Sequence, residues 1–352
     1  MTDPNLSQLV CCPFCRGALS MGVDACPCLG CGHVFPALLG IPDLRTPVED
    51  AWINYEEDRS LAVSLAADYQ AQTFESLVGK VWRQRQNISP EIITRRIRQI
   101  NQARSKYDEE LSERGWVSQA IKDLSKVYCV ELGCGTGAFL EAASRRFKNV
   151  LGLDISLTWL VVARKRLEER GISIPLLCGC VERLPLRDDR FSLAVAFDVL
   201  EHVANPEQML KEVRRVMRPD GKVLCTTPNR YSLSAEPHVG IWGVGFLPRK
   251  WMPAYVRWRS GMLYDHVNPF SLLDLRRLFK RRAQYTIDVR TPSIYEKEAR
   301  EFSPAKRRIA LLYNRLTRIG VLRFLLLPVA PFFQIIAQKT PGKVLAEAAS
   351  RQ

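Results

Sequence analysis

The chain contains 352 residues, enough for two or three domains and one large hydrophobic core. Its 47% hydrophobic and 25% charged residues are ordinary for a globular protein, and they exclude a disordered chain, a collagen-like fibre and a polytopic membrane protein. The 51 Lys and Arg against 37 Asp and Glu give a net charge of +14, which favours anionic partners such as nucleic acid, acidic lipid or phosphorylated substrates.

Six of the 11 cysteines lie near the start of the chain, and no apolar signal segment precedes them. We therefore expect a reducing, cytoplasmic location, where clustered cysteines indicate a metal site rather than disulfides. Two CxxC knuckles are separated by 12 residues, a spacing at which four thiolates can surround one zinc ion in a closed, structural site. The expected ligands are Cys12, Cys15, Cys28 and Cys31. Cys11 and Cys26 stay open as alternative ligands, and unliganded buried cysteines are the other interpretation.

Residues 47–125 are rich in helix formers and predict a connector of two to four helices. After residue 126, short apolar strands alternate with helices, the pattern of a parallel sheet covered on both faces. The predicted strands are 126–132, 150–153, 174–177, 191–197, 222–226 and 332–337, and the predicted helices are 138–147, 157–170 and 206–217. The predicted segments are a ribbon at 1–46, a helical connector at 47–125, an α/β core at 126–232, an insertion with a late strand at 233–300, and a basic amphipathic element with the final strand at 301–352.

A glycine-rich loop, Glu131-Leu-Gly133-Cys-Gly135-Thr-Gly137, joins the first predicted strand of the core to its helix. Glycines let the backbone turn tightly and approach a ligand, and Asp154 at the end of the second strand can accept hydrogen bonds from two ribose hydroxyls. The loop is shorter than the dinucleotide fingerprint and lacks the Gly-Lys-Ser/Thr of a P-loop, so neither a pyrophosphate nor a triphosphate is its expected ligand. The alternative is a turn that only packs a helix on a strand.

This stretch resembles the class I S-adenosylmethionine-dependent methyltransferases over about residues 126–230. The likeness includes the glycine loop, Asp154, Glu182–Leu186, Asp198–Val203 and Thr227-Pro-Asn229. It implies an α/β fold, a Rossmann-like seven-stranded class I methyltransferase sheet, here with a small N-terminal zinc ribbon and a helical connector. It also implies S-adenosylmethionine as cofactor, bound by Glu131, Gly133, Gly135, Gly137, Asp154, Ile155, Cys180, Val181 and Phe197.

Two positions depart from the family pattern. Cys180 stands where the family often has an Asp near the adenine, and Ser192 stands where an Asp often follows the Phe of the fourth strand. Because a thiol is a poor hydrogen-bond acceptor, adenine would be held by the Val181 backbone and apolar packing. Both departures would weaken cofactor binding, and they leave open a non-catalytic partner protein.

Glu201 and His202 follow the fourth predicted strand and are the candidate catalytic residues. A histidine titrates near neutral pH and can act as a general base if the methyl acceptor carries a proton. The pair also resembles the ubiquinone-pathway O-methyltransferases, in which this neighbourhood faces the substrate. The alternative is that both residues cap the helix that starts near Pro206.

The last third of the chain is basic and aromatic. Between Gly245 and Arg323, 18 Lys or Arg face 6 Asp or Glu, a net charge of +12. Aromatic and cationic residues interleave at 242–259, which suits stacking on unpaired bases, a lipid headgroup interface or a lid over a small-molecule pocket. The amphipathic element Ser303–Leu327 either binds anionic lipid in the plane of the membrane or packs on the core.

The resemblance predicts a methyltransferase that transfers a methyl group to oxygen of a small or lipid-linked acceptor. The amphipathic element is the reason to expect that this happens at an anionic membrane surface. The ribbon resembles the zinc-ribbon proteins that partner and activate methyltransferases. An RNA methyltransferase, suggested by the ribbon and the charge, and a non-catalytic cofactor-binding partner are the alternatives. We expect a cytoplasmic protein with peripheral membrane association.

Overall fold

A computed structural model describes residues 6–47, 53–84, 90–112, 115–121, 127–295, 299 and 302–340. The contacts divide the chain into two compact units, Met1–Val195 with Gln208–Lys222, and Ala196–Glu207 with Val223–Gln352. The division into five sequence segments stays a prediction, and the part of the last segment beyond residue 340 lies outside the described residues.

The first unit begins with a small antiparallel sheet of three strands. Its strands are β1 (Ala25–Pro27), β2 (Val34–Leu38) and β3 (Ile41–Pro42). Backbone hydrogen bonds join this module to the rest of the unit, from Cys11 N to Pro185 O (3.0 Å) and from Leu44 N to Cys178 O (2.8 Å). The cysteine-rich segment is therefore an integral part of the first unit.

Helices fill the connector, as predicted. Within the described residues they are Tyr55–Ala67, Phe74–Gln84, Pro90–Glu110 and Trp116–Ala120. Asn54 caps the first by accepting hydrogen bonds from the Glu56 and Glu57 backbone, which satisfies two of the free N–H groups at its start.

The central sheet has seven strands. They are β4 (Tyr128–Leu132), β5 (Asn149–Asp154), β6 (Leu176–Cys178), β7 (Phe191–Phe197), β8 (Met217–Pro228), β9 (Tyr285–Arg290) and β10 (Phe332–Lys339). The order is β6-β5-β4-β7-β8-β10-β9; the β4–β5, β5–β6 and β4–β7 pairs are parallel, and the β9–β10 pair is antiparallel. Consecutive buried Val, Leu and Ala residues in the parallel strands suit a sheet covered on both faces. The predicted Rossmann-like class I methyltransferase sheet is confirmed.

Some element boundaries differ from the sequence predictions. The strand expected at 222–226 begins earlier, at Met217. Within it, Gly221 lies so close to Phe191 O that a Cβ would be 3.1 Å from that oxygen, which suits a glycine at this position. The element expected over Ser303–Leu327 forms two helices, Pro304–Leu316 and Gly320–Leu326, because the backbone of Ile319 is extended. The helix expected over 138–147 ends at Ala143.

The second unit contains the insertion that follows β8. Met252–Ser260 is its main helix, and Val244, Met252, Val256 and Tyr264 form a small buried cluster. Across the described residues of the chain, every helix is too short or too polar to cross a bilayer.

Candidate functional site

The glycine loop turns as its residue types predict. Gly133, Gly135 and Gly137 have φ of 73°, 48° and 74°, a region that L side chains rarely adopt. A Cβ on Gly137 would lie 3.2 Å from Ala163 Cβ, so this glycine also allows close helix packing. A Cβ on Gly135 would meet no atom within 4 Å, so there is open space above the middle of the loop.

Asp154 lies at the end of β5, and its carboxylate connects this strand to the glycine-rich loop. Its Oδ2 accepts a hydrogen bond from Gly135 N (2.7 Å) and its Oδ1 accepts one from Ser156 N (2.8 Å). Burial raises the pKa of this carboxyl to about 6, against the lowering effect of the two N–H donors. Each carboxylate oxygen keeps a lone pair, so the group can still accept a hydrogen bond from each of two hydroxyls.

Glu131 is the last but one residue of β4, at the start of the glycine-rich loop. It is 4% exposed, and its Oε2 is buried with no hydrogen-bond partner among the residues that the structure describes. Burial and the nearby Asp154 hold its pKa well above the usual value. A buried acceptor without a donor is costly, so this site fits a ligand that brings a cationic or N–H group. The open turn and the unsatisfied acid together fit the amino-acid end and the ribose of S-adenosylmethionine.

The other predicted cofactor residues differ in exposure. Ile155, Val181 and Phe197 are partly exposed. Cys180 is fully buried, and its Sγ lies 3.2 Å from Thr46 O and 3.1 Å from Tyr55 Oη. The thiol is therefore paired with the connector. The roles of all four residues toward the cofactor stay predictions.

A buried ionic network, which the sequence analysis missed, braces the turn after Asp154. Arg45 binds Asp43 through two hydrogen bonds (2.8 and 2.7 Å) and Asp58 through a third (2.9 Å), and its side chain is 4% exposed. Asp58 in turn accepts a hydrogen bond from Leu157 N (2.8 Å), and this bond satisfies a free N–H group at the start of the helix Leu157–Glu168. Arg45 also donates to Ile155 O (3.3 Å). Asp43, Arg45 and Asp58 are close in sequence, but Ile155 and Leu157 lie about a hundred residues later, so only the charged residues themselves gave a signal.

Replacing Arg45 by Met should lower the free energy of unfolding by about 3–5 kcal/mol, because it leaves Asp43 and Asp58 buried without their cation. Urea unfolding measures the change. Arg59→Met is the matched control: Arg59 also contacts Asp43 (3.1 Å), but its side chain is 35% exposed, so we expect a loss below about 1 kcal/mol. Equal losses in the two variants would contradict this role for Arg45.

The four predicted zinc ligands converge. The sulfur atoms of Cys12, Cys15, Cys28 and Cys31 all lie within 4.8 Å of one another. Two Sγ···Sγ distances are 3.8 Å (Cys12–Cys31) and 3.4 Å (Cys15–Cys28). Tetrahedral zinc with Zn–S bonds of about 2.3 Å places its sulfurs about 3.8 Å apart, so the quartet fits that ion.

Backbone N–H groups also point at these sulfurs. Gly30 N and Cys31 N lie 3.4 and 3.5 Å from Cys28 Sγ, and the contacts, led by that from Cys31 N, lower the pKa of Cys28 to about 6. Such donors favour a thiolate, the form that binds metal. Cys11 and Cys26 are buried outside the quartet.

Glu201 and His202, the predicted catalytic pair, lie in a polar cluster of the second unit. Glu201 is fully buried, and its Oε2 accepts a hydrogen bond from Thr227 Oγ1 (2.9 Å). His202 is partly buried, and its Nε2 lies 3.1 Å from Nε2 of His238. Burial and His238 lower the pKa of His202, and burial raises that of Glu201. The catalytic assignment of the pair stays a prediction.

Two members of this cluster were missed by the sequence analysis. His238 Nδ1 lies 2.6 Å from Glu236 Oε1, so that carboxylate orients the ring. The sequence did contain a signal for these two residues, because Glu236-Pro-His238 places a carboxylate and an imidazole two positions apart after the fifth predicted strand. Neighbouring Asp198 has φ 57°, a strained conformation for a non-glycine residue, and accepts from Thr226 Oγ1 (2.8 Å).

Comparison with known proteins agrees with this geometry. Residues 130–225 match the family model of the methyltransferase domain. The matched residues run from β4 into β8 and include the glycine loop, Asp154 and the Glu201–His202 pair.

The chain is also similar to curated ubiquinone biosynthesis O-methyltransferases. It is 34% identical to that of Maricaulis maris over 123 residues, which are 34% of this chain and 48% of the relative. It is 30% identical to that of Coxiella burnetii over 131 residues, 37% of this chain and 52% of the relative. The chain therefore spans about half the length of these relatives. A solved S-adenosylmethionine-dependent methyltransferase from Mesorhizobium loti aligns with 63% of this chain and 95% of its own, at 19% identity and a TM-score of 0.44.

Proposed function

We propose that the protein is an S-adenosylmethionine-dependent methyltransferase that methylates a hydroxyl group of a small or lipid-linked acceptor. The observation that carries the proposal is the match of residues 130–225 to the methyltransferase domain, over a loop whose open turn and unsatisfied acid fit the cofactor. The similarity to ubiquinone biosynthesis O-methyltransferases supports oxygen as the atom methylated.

The cofactor supplies an activated methyl group, so the chain's own residues mainly bind and orient. Asp154 would accept hydrogen bonds from the ribose hydroxyls, and Glu131 would accept one from the amino group of the methionine part. The glycine loop lets its backbone approach the ligand. Glu201 and His202 follow β7, and ligands of doubly wound sheets bind beyond the carboxyl ends of the strands. This supports their placement on the acceptor side.

The test is methyl transfer from radiolabelled S-adenosylmethionine to a total lipid extract and, in parallel, to total RNA. We expect label in an organic-soluble product that survives mild base, because a methyl ether is stable where a methyl ester releases methanol. Label in RNA would favour the RNA methyltransferase. Absence of label in both extracts would overturn the proposal and favour the non-catalytic partner protein.

We also infer that the cysteine quartet holds a structural zinc ion. Four protein ligands leave no position for a substrate, so the ion would stabilise the first unit without entering the reaction. The distances between the four sulfurs and the N–H donors to Cys28 support this assignment.

The helices Pro304–Leu316 and Gly320–Leu326 support a peripheral membrane interaction. Most of their apolar side chains face away from the fold; Ile309, Val321 and Phe324 are 69%, 71% and 69% exposed. The exposed cations are Lys306, Arg307, Arg308, Arg315, Arg318 and Arg323. An exposed apolar surface among cations suits the headgroup region of an anionic bilayer, and it argues against the alternative of a helix packed on the core.

The double variant Ile309→Glu, Phe324→Glu should bind phosphatidylglycerol vesicles at least tenfold more weakly than wild type, because it removes two apolar contacts and adds two negative charges. Vesicle flotation measures the bound fraction. Val23→Glu, at a residue that is 63% exposed in the ribbon, should bind like wild type. Retention of the double variant on the vesicles would refute this surface.

A further inference from the structure

The order of three strands in the first unit gives the proposed cofactor a direction. The glycine loop follows β4 and Asp154 ends the neighbouring β5, so the methionine part and the ribose lie over two adjacent strand ends. The next strand is β6, and Cys178 at its end pairs with Asp154. Because adjacent strands are about 4.8 Å apart, the adenine that follows the ribose comes to lie beyond the end of β6. This placement rests on the proposed function.

The end of β6 is covered by the segment that leads from the ribbon into the connector. Leu44 N donates a hydrogen bond to Cys178 O (2.8 Å), which lays this segment along the strand. Two residues further along both segments, Thr46 O lies 3.2 Å from Cys180 Sγ. Tyr55 Oη, from the first connector helix, lies 3.2 Å from the same carbonyl oxygen. A carbonyl, a thiol and a phenol therefore meet where the adenine is expected.

The hydrogen bonds among these three groups leave an acceptor at Tyr55. The Tyr55 hydroxyl and the Cys180 thiol both donate to Thr46 O, which fills the two lone pairs of that carbonyl. Each group has then used its one hydrogen, so the Tyr55 oxygen keeps a lone pair, and sulfur is a much weaker acceptor. Thr46 is 2% exposed and Cys180 is fully buried, whereas Tyr55 is partly exposed. Tyr55 is thus the member of the three that a ligand can reach.

The Tyr55 ring is held in place by the buried ionic network. Arg45 Cζ lies 4.7 Å from the ring centroid, a cation–π contact, and Arg45 is itself bound to Asp43 and Asp58. Tyr55 is also the first residue of its helix, directly after the cap Asn54. Burial raises the pKa of the Tyr55 hydroxyl, so it stays neutral. The phenol oxygen is a fixed, uncharged hydrogen-bond acceptor.

We propose that Tyr55 determines specificity for adenine, because its phenol oxygen accepts a hydrogen bond from the 6-amino group of the base. The tyrosine lies 125 residues before Cys180 and reaches the end of β6 only through the packing of the connector. The connector therefore takes part in the cofactor site. A base without a donor at this position leaves the phenol oxygen unpaired and binds more weakly.

Isothermal titration calorimetry of the zinc-loaded full chain tests this contact with two ligands. S-adenosylhomocysteine is compared with its purine analogue, which lacks only the 6-amino group. Wild type should bind S-adenosylhomocysteine about 3–10-fold more tightly than the analogue, the effect of one hydrogen bond. Tyr55→Phe should bind the two ligands equally and should bind the analogue as wild type does, because it keeps the ring on Arg45 and loses only the hydroxyl.

Two further variants separate this hydroxyl from its surroundings. Tyr69→Phe is the matched control: Tyr69 lies in the same connector, and its hydroxyl donates to Glu168 Oε2 (2.7 Å). It should keep the preference for S-adenosylhomocysteine. Cys180→Ala should keep the preference as well, because the thiol is not the acceptor. A melting temperature of Tyr55→Phe within a few degrees of wild type shows that this variant folds.

The outcomes separate this contact from the proposed function. No preference in wild type would overturn the contact, as would a preference that survives in Tyr55→Phe or one that Tyr69→Phe or Cys180→Ala also removes. A preference lost only in Tyr55→Phe, without methyl transfer to either extract, would uphold the contact and overturn the proposed function. Methyl transfer with an unchanged preference in Tyr55→Phe would do the reverse. A wild type that binds neither ligand would overturn both.

Discussion

Replacing Asp154 by Ala should raise the dissociation constant for S-adenosylmethionine at least about 100-fold. The carboxylate is placed to accept hydrogen bonds from two ribose hydroxyls, and each bond to a charged group contributes about 1.5–3 kcal/mol. The substitution also removes the acceptor for Gly135 N, which shapes the loop. Isothermal titration calorimetry on zinc-loaded protein measures the affinity.

Asp220→Ala is the control for this variant, because Asp220 is exposed on β8 and its loss should leave the affinity unchanged. Unchanged affinity in Asp154→Ala would refute the ribose assignment. A wild type that binds no cofactor would instead indicate that Cys180 and Ser192 mark a lost site.

The pH dependence gives a second test of Asp154. Burial raises its pKa to about 6, and the cofactor hydroxyls bind the ionised form best. Cofactor binding should therefore lower that pKa, so the affinity should fall as the pH falls through about 6 and level off above it. Asp58 is the charged neighbour that contributes to the raised pKa, and Asp58→Asn should move the midpoint to lower pH.

Replacing Cys28 by Ser should remove one zinc ion per chain and lower the melting temperature by about 10 °C or more. Structural zinc sites contribute folding free energy directly, and a loss of only a few kcal/mol has this effect in a unit of this size. We also expect at least tenfold weaker cofactor binding, because Arg45, which follows the ribbon strands, donates a hydrogen bond to Ile155 O in the turn after Asp154, while Leu44 N donates one to Cys178 O at the end of β6. Calorimetric melting and metal analysis measure the two effects.

Cys26→Ser is the matched control for the ribbon. Cys26 is equally buried but lies outside the quartet, and its sulfur donates only a weak hydrogen bond to Gly22 O. We expect its metal content to equal that of wild type and its melting temperature to change by a few degrees at most. If chelation strips the ion from the quartet without changing the melting temperature, the structural role is wrong.

Local sequence patterns predicted those parts of the site whose residues lie close together in the sequence. The glycine loop is a local backbone requirement, because positive φ at Gly133, Gly135 and Gly137 needs residues without a Cβ. The alternation of strands and helices predicted the sheet, because a parallel sheet covered by helices is one of the few ways to bury apolar runs of strand length. The CxxC spacing predicted that four sulfurs converge, because each of the two tight turns presents two thiols on one side.

Long-range partners could not be found in this way. Arg45 meets Asp58 and Ile155 only after the connector helix lies against the turn that follows β5, and no short pattern encodes that contact. The family resemblance predicts that Cys180 lies near the adenine, but it gave no sign that this thiol is paired with Tyr55 and Thr46, which come from a segment more than a hundred residues earlier.

The sequence by itself thus determined the fold class, the glycine loop with Asp154, and the cysteine quartet, because each depends on backbone conformation or on spacing within a few turns. Only the tertiary structure decided which charges brace the turn after Asp154 and that His238 lies beside His202 and Glu201. Those contacts depend on how distant segments pack, and on which buried polar atoms remain unsatisfied once they do.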